Sequence, residues 1–375
     1  MDRIQDLGPA PGLTRRQLVA RGGYAALAAG GLAGLVGCGS SAKAPASAQV
    51  ESIAGTLNYF TYPGWIGKHE YAGFEKLHPQ VKIKEIAYNG SSTRGLAVLV
   101  RENPSAYDFL GAVGLAAVPT LTAAPSLVAK LDWAKIPNIA NIPQRFRTEF
   151  PIGVPTDYGK VGFAYRKDLM PERPTSWAEL WALAPRYSGK IIFLDAMEDT
   201  MGNALKMLGY SGNSTVPSQI TAAKNKLLEI KPHLQAILSM DVAKPITKGT
   251  AVMTMDYDFD IAAAQAQEPN IVWVAPKEGL MAYLEGQVAV ATSKHLAAIE
   301  SFMNFNLEPQ NYADFVDTTG TAYLMPAASP LIKKSISDNP VLAFTPDVLA
   351  RVEFEKSLGA ATGLWTTAWS EFQAA

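Results

Sequence analysis

Thr56-Leu57-Asn58-Tyr59-Phe60, Val81-Lys82-Ile83-Lys84-Glu85-Ile86 and Tyr107-Asp108-Phe109-Leu110-Gly111-Ala112 are three strand-like runs, and what lies between them decides the fold. The middle run alternates apolar and polar residues, the pattern of a strand with one buried face. Lys68 to Leu77 carries apolar residues at helical spacing and stops at His78-Pro79, because proline disfavours helical backbone in the residue before it. Ser92 to Glu102 reads as a second helix. Strand, helix, strand, helix, strand requires crossover connections, and therefore a parallel sheet flanked by helices. Ligands of such sheets bind beyond the carboxyl ends of the strands. The loops after Phe60 and after Ala112 are accordingly where a site is expected.

The alternation continues along the chain. Tyr158 to Tyr165 reads as a strand, and Ser176-Trp177-Ala178-Glu179 has capping-box spacing that opens a helix through Trp181. Lys190 to Leu194 is a strand and Thr200 to Leu208 a helix ending at Gly209. Ala251 to Met255, Ile271 to Val274 and Gln287 to Ala291 are short strands. The remainder reads as mostly helical, with a long run after Thr345. The expectation is one α/β architecture throughout.

Upstream, Thr14-Arg15-Arg16-Gln17-Leu18-Val19 precedes a Gly/Ala-rich apolar run from Gly22 to Gly37, which ends in Leu35-Val36-Gly37-Cys38. Paired arginines before a short, weakly hydrophobic segment resemble a twin-arginine export signal. Leu-Val-Gly-Cys resembles a bacterial lipoprotein cleavage box whose cysteine is acylated. A membrane span needs about 20 apolar residues, and a core helix would not carry so many glycines, each unfavourable by about 1 kcal/mol against alanine. Residues 1–37 are read as a signal peptide, 38–53 as a lipidated flexible tether, and the protein as exported, periplasmic or on the outer face of the cell membrane, lipid-anchored at Cys38. Cys38 is the only cysteine, so no internal disulfide can form.

The whole chain has a formal net charge of −1. Removing Arg3, Arg15, Arg16, Arg21, Asp2 and Asp6 with the export segment leaves −3, with no Lys/Arg block, so nucleic acid is not an expected partner. The four histidines, His69, His78, His233 and His295, fall in no zinc spacing. No nucleophile elbow or phosphate loop follows a strand. No catalytic residue, metal site or cofactor is expected.

Several stretches coincide with one known group. Leu57 to Trp65, Tyr107-Asp108-Phe109, Thr175-Ser176-Trp177-Ala178-Glu179-Leu180-Trp181, Leu208-Gly209-Tyr210-Ser211-Gly212-Asn213-Ser214 and Pro276-Lys277-Glu278-Gly279 resemble the spermidine/putrescine-binding proteins of bacterial ABC importers. The likeness runs from about Leu57 to the C-terminus. It implies a two-lobed clamshell of the type II periplasmic-binding-protein kind. Lobe 1 would hold residues 54–160 and 281–328, and lobe 2 residues 161–280 and 329–375. A polyamine or other small cationic solute would sit between the lobes, closed in by a hinge motion. The partners implied are a membrane permease and its ATPase, with the receptor a monomer.

A polyamine needs carboxylates for its ammonium groups and aromatic faces for its methylenes. Tyr62 and Trp65 match an aromatic pair of the family, in reversed order. Tyr283 and Glu285 match its Trp-x-Asp, and Glu285 is the expected ammonium anchor; its extra methylene shortens the pocket by about one carbon. Tyr257 matches a tryptophan that lies along the alkyl chain, Asp199 matches an acid, and Glu355 matches a glutamine. Asp256, Asp258 and Asp260 would share one face of an extended segment, with Asp258 either lining the cleft or lying in a solvated turn. A calcium loop there is excluded by Ile261 and Gln267 at the sixth and twelfth positions.

Four positions depart from the family pattern. Val113 and Leu115 replace a Ser-x-Tyr, Ala196 replaces an acid and Thr321 a tyrosine. The alternatives are therefore a receptor of the same fold for thiamine, an aminophosphonate or ferric iron, a scaffold that has lost transport, or a lipid-anchored enzyme. Arg94 and Arg166 are the arginines near the expected cleft, Arg94 opening a helix where it could face solvent.

Overall fold

The computed structural model describes residues 53–90 and 92–375. The export segment, Cys38 and the tether to residue 52 lie outside the described residues. Strand β1 (Gly55–Thr61) pairs in parallel with β2 (Val81–Ala87) through seven residues and with β3 (Phe109–Gly114) on its other side. Between them lie α1 (Glu70–Leu77) and α2 (Thr93–Glu102). Ser92 caps α2 by accepting a hydrogen bond from the Gly95 amide, which satisfies one of the amides a helix start leaves without a partner. The opening β-α-β-α-β unit is thus the one read from the sequence, with β3 starting two residues later.

The middle of the chain supplies β4 (Val154–Arg166), α3 (Trp177–Leu183), β5 (Ile191–Leu194), α4 (Met197–Met207), α5 (Pro217–Ile230), β6 (Leu234–Leu238), β7 (Met253–Tyr257), α6 (Asp258–Gln267) and β8 (Ile271–Val274). It then returns through β9 (Leu280–Ala289), α7 (Leu296–Asn306), α8 (Pro309–Thr319) and the two-residue β10 (Ala322–Tyr323). Strand β11 (Val352–Phe354) and α9 (Thr362–Ala374) complete it. The sheet runs β2-β1-β3-β9-β4-β7-β5-β6, with β8 and β10 also paired to β4 and β11 to β9.

Two hydrophobic cores sit along this sheet. The first is built from β1, β3, α2, α7 and α8, with Leu57, Leu96, Phe109, Phe302 and Val316 inside it. The second is built from β5, α3, α4, α5 and α9, around Trp177, Ile192, Leu205, Leu227 and Trp365. Burying each of these side chains contributes about 1.5–3 kcal/mol. Strand β4 serves both cores, with Val154 in the first and Val161 and Phe163 in the second. The protein is therefore two-lobed, with antiparallel β4 and β9 passing between the lobes.

The motifs that carry the family resemblance have structural jobs. Ser176 caps α3 by accepting from the Glu179 amide, while Glu179 reaches back to the Thr175 amide, one residue beyond the N-cap amide of the expected box. The Glu278 carboxylate accepts from the Trp177 and Ala178 amides at 3.0 and 2.9 Å, placing an anion at the positive end of the helix. The Trp177 indole in turn donates to the Gly279 carbonyl. In the Leu208–Ser214 loop, the Gly212 amide and the Asn213 side chain donate to Glu353. Burial alone would raise the Glu353 carboxyl, but its bonds from Ser211, Gly212, Asn213 and Lys206 outweigh that and lower it to about 2.

Four local expectations are corrected. Strand β4 begins at Val154 rather than Tyr158, and β9 at Leu280 rather than Gln287, because the two pair along seven register positions and each extends the other. The region after Thr345 is not one helical run: β11 interrupts it, held by parallel pairing to β9. Asp256, Asp258 and Asp260 do not share an extended face, since α6 begins at Asp258 and breaks the alternation. Asp258 is neither a cleft wall nor a solvated turn; it is fully buried in an ion pair with Lys160 at 2.9 Å.

Candidate functional site

The β4/β9 register sets Asp157 opposite Glu285 and Gly159 opposite Tyr283. Side chains two apart on a strand share a face, so this face carries an acid pair beside an aromatic ring. Gly159 is required there: a Cβ at this position would stand 2.2 Å from the Tyr283 hydroxyl. Lys160, on the opposite face, is held by Asp258 and by the Val341 carbonyl at 2.7 Å, so its charge is taken up away from the acid pair.

Above this face lies a cavity of about 180 Å³, walled by Tyr62, Trp65, Tyr257, Phe259, Tyr283 and Glu285, with Asp260 also lining it. Its rings brace one another. Tyr257 and Tyr283 meet edge to face at 5.5 Å, Tyr257 stacks with Phe259 at 5.6 Å, and Trp65 meets Phe259 at 5.3 Å. Trp65 packs against the first core and Tyr257 against the second, so the cavity lies between the lobes.

Beneath the rings is a concentration of acid. The Tyr257 hydroxyl donates to Asp199 Oδ2 at 3.0 Å, and Asp199 Oδ1 is buried without a partner. Asp157 accepts from Thr156 at 2.7 Å and from Thr321 at 3.4 Å. Burial pushes the carboxyls of Asp157 and Asp199 up to about 7, against the hydrogen bonds that favour their charged forms. Burial also holds Glu285 well above the usual carboxylate range, and the neighbouring Asp157 and Asp199 add to it. Glu355 is raised by burial and then by Asp199, Glu198 and Glu285. Among the described residues, none of these four carboxylates is ion-paired to a basic side chain. Acids collected in low dielectric disfavour one another's charge, and a cation placed among them relieves that.

Five of the seven expected residues, Tyr62, Trp65, Tyr257, Tyr283 and Glu285, line the cavity itself. Asp199 lies behind them, reached through the Tyr257 hydroxyl, and the charges of Asp199 and Glu355 act on one another. Glu355 is buried just past β11. Of the departures, Val113 is buried in β3 and Ala196 is a helix N-cap without a side-chain bond, whereas Thr321 does face the acids, through Asp157. Asp157 and Phe259 were missed. An aspartate between Thr156 and a long apolar run is the one signal that Asp157 offered. Arg166 is not at the site: it holds Asp168 through two 2.8 Å bonds at the far end of β4. Arg94 does not face solvent but pairs with Glu198.

Residues 71–343 match the family model of bacterial extracellular solute-binding proteins. The chain belongs to that family. This solute-binding protein is 27% identical over 256 residues to the spermidine/putrescine-binding periplasmic protein of Escherichia coli, covering 66% of this chain and 72% of the relative. It is 24% identical over 347 residues to the putrescine/cadaverine-binding protein of Pseudomonas aeruginosa, covering 86% and 95%. A solved protein from Listeria monocytogenes superposes with a TM-score of 0.78 at 23% identity, over 85% of this chain and 98% of its own. The two-lobed α/β fold is that of these receptors, and a solute-binding protein of this family is a receptor rather than an enzyme.

Proposed function

We propose that this receptor captures a polyamine-type cation, of the spermidine or putrescine kind, in the interlobe cavity and delivers it to a membrane permease driven by a separate ATPase. The observation that carries the reading is a set of four carboxylates, Asp157, Asp199 and Glu355 buried and Glu285 half-buried in the cavity wall, without basic partners among the described residues and roofed by aromatic rings. Buried charge is unfavourable unless paired, so such a set suits a ligand that brings its own positive charges. Aromatic faces accept both ammonium groups and the methylenes between them. Pockets for drug-sized ligands span about 300–1,000 Å³, so a cavity of about 180 Å³ suits a smaller, slender aliphatic amine.

In this reading Glu285 anchors one ammonium, with Tyr62, Trp65, Tyr257 and Tyr283 around the chain and Asp199 and Glu355 at the other end. Lobe 1 comprises residues 54–160 and 281–328 and lobe 2 residues 161–280 and 329–375; the membership of the two cores supports this division except at Ile332, which packs in the first core. Closure is biased by a ligand that touches both. The receptor acts as a monomer, exported behind residues 1–37 and lipid-anchored at Cys38; the support for the anchor is the Leu35–Cys38 sequence.

Calorimetric titration of the purified protein with putrescine and spermidine at neutral pH tests the reading. Micromolar or tighter binding is expected, with Glu285→Gln weakening it by about 2–4 kcal/mol, the scale of removing one partner of a desolvated charge pair. Folded protein that gives no heat with either amine would refute it. For the anchor, Cys38→Ser is expected to move the protein from the membrane to the soluble fraction of the cells that export it.

A further inference from the structure

Arg94 and Glu198 are 104 residues apart in sequence and joined by an ion pair between Nη2 and Oε1. Arg94 stands on α2, whose Leu96, Ala97 and Val100 belong to the first core. Glu198 stands on α4, whose Met201, Ala204 and Leu205 belong to the second. The pair therefore bridges the lobes. It is largely withdrawn from water, with side-chain exposures of 20% and 10%, so it escapes the screening that makes surface pairs nearly worthless. Arg94 Nε is also buried, without a partner.

Glu198 is one of the cleft acids. It precedes Asp199 in the first turn of α4, and its charge adds to the proton affinity of both Asp199 and Glu355. Gly90, four residues before Arg94, lines the cavity, so the connection into α2 starts at its wall. With Asp260, which lines the cavity from α6, the acids are thus six: Asp157, Glu198, Asp199, Asp260, Glu285 and Glu355. Among the described residues, Arg94 is the one basic side chain ion-paired with any of them.

Resting on the polyamine reading, we infer that Arg94 is a specificity-determining residue: a cation built into the cleft that occupies Glu198 and limits the captured amine to two positive charges. A diamine places one ammonium toward Asp157 and Glu285 and the other toward Asp199 and Glu355. The third ammonium of a triamine, extended past Asp199 toward α4, would meet Glu198 already occupied and a guanidinium that repels it. The same pair ties the lobes together at the α4 end, so closure and ligand charge are set by one contact.

Calorimetry with putrescine and spermidine on the wild type, Arg94→Gln, Glu198→Gln and the double variant decides this, with thermal unfolding run on each to confirm a folded chain. The wild type is expected to prefer putrescine. Arg94→Gln is expected to shift the putrescine-to-spermidine affinity ratio at least about tenfold toward spermidine, a change of about 1.4 kcal/mol. The double variant, which removes both charges, is expected to return the ratio to near the wild-type value. An Arg94→Gln variant that changes both affinities by the same factor would make Arg94 a latch without selectivity and overturn the inference alone. Glu198→Gln is the independent variant: the inference requires it to weaken spermidine at least as much as putrescine, and a gain for spermidine overturns it. A folded wild type that binds neither amine overturns the polyamine reading, and this inference with it.

Discussion

Raising the pH from 5 to 8 should destabilise the ligand-free protein and strengthen its hold on an amine. The carboxyls of Asp157 and Asp199 are pushed by burial to about 7 from an ordinary value of 3.8. The native state therefore holds protons that the unfolded chain has already released. Stability falls with pH wherever the native state binds more protons, so the loss runs from about pH 4 to about pH 7, and these two groups add nothing further above that. Each shift of about 3 units corresponds to about 4 kcal/mol. Glu285 and Glu355 act with the same sign. Asp199→Asn removes one of these terms without altering the volume, and should raise the melting temperature at pH 8 by about 5–10 °C while abolishing binding. A bound cation favours the charged carboxylates, so amine binding near pH 6 should release protons, visible as a dependence of the calorimetric enthalpy on the ionisation enthalpy of the buffer. Thermal unfolding across pH 5–8, with and without putrescine, reads the first effect directly. A melting temperature that is flat or rises between pH 5 and 7 in the ligand-free protein, or proton uptake on binding, would refute the reasoning.

Lys160→Met leaves Asp258 buried and unpaired, and should cost about 3–5 kcal/mol at neutral pH; chemical denaturation should show most of this recovered in the Lys160→Met/Asp258→Leu double variant. Ser176→Ala removes the α3 cap and should cost about 1 kcal/mol in the same assay, without changing amine affinity. Gly159→Ala drives a methyl into the Tyr283 hydroxyl; calorimetry should show weaker amine binding because the ring must leave its place against Tyr257.

The opening unit was legible because its signals are local. The alternation in β2, the Pro79 stop and the Ser92 cap act within a turn or two of chain. The Ser176 cap was legible for the same reason. The site residues came from the family likeness, and five of them line one cavity. Asp157 stayed hidden because Pro155 and an aspartate argue against a strand by propensity, and only pairing with β9 makes one. The three residues of β11 carry no periodicity at all; the same neighbour imposes that strand and buries Glu355 just beyond it.

The chain's own order of residues determined the parallel start of the sheet, the helix caps and the supply of carboxylates and rings, since each depends on neighbours a few positions away. The tertiary structure alone decided which acids meet. Asp157 faces Glu285 across 128 positions of sequence, and Arg94 finds Glu198 across 104. Proton affinity here comes from burial and from charges brought together by the lobes, and burial belongs to the folded whole rather than to any stretch of chain.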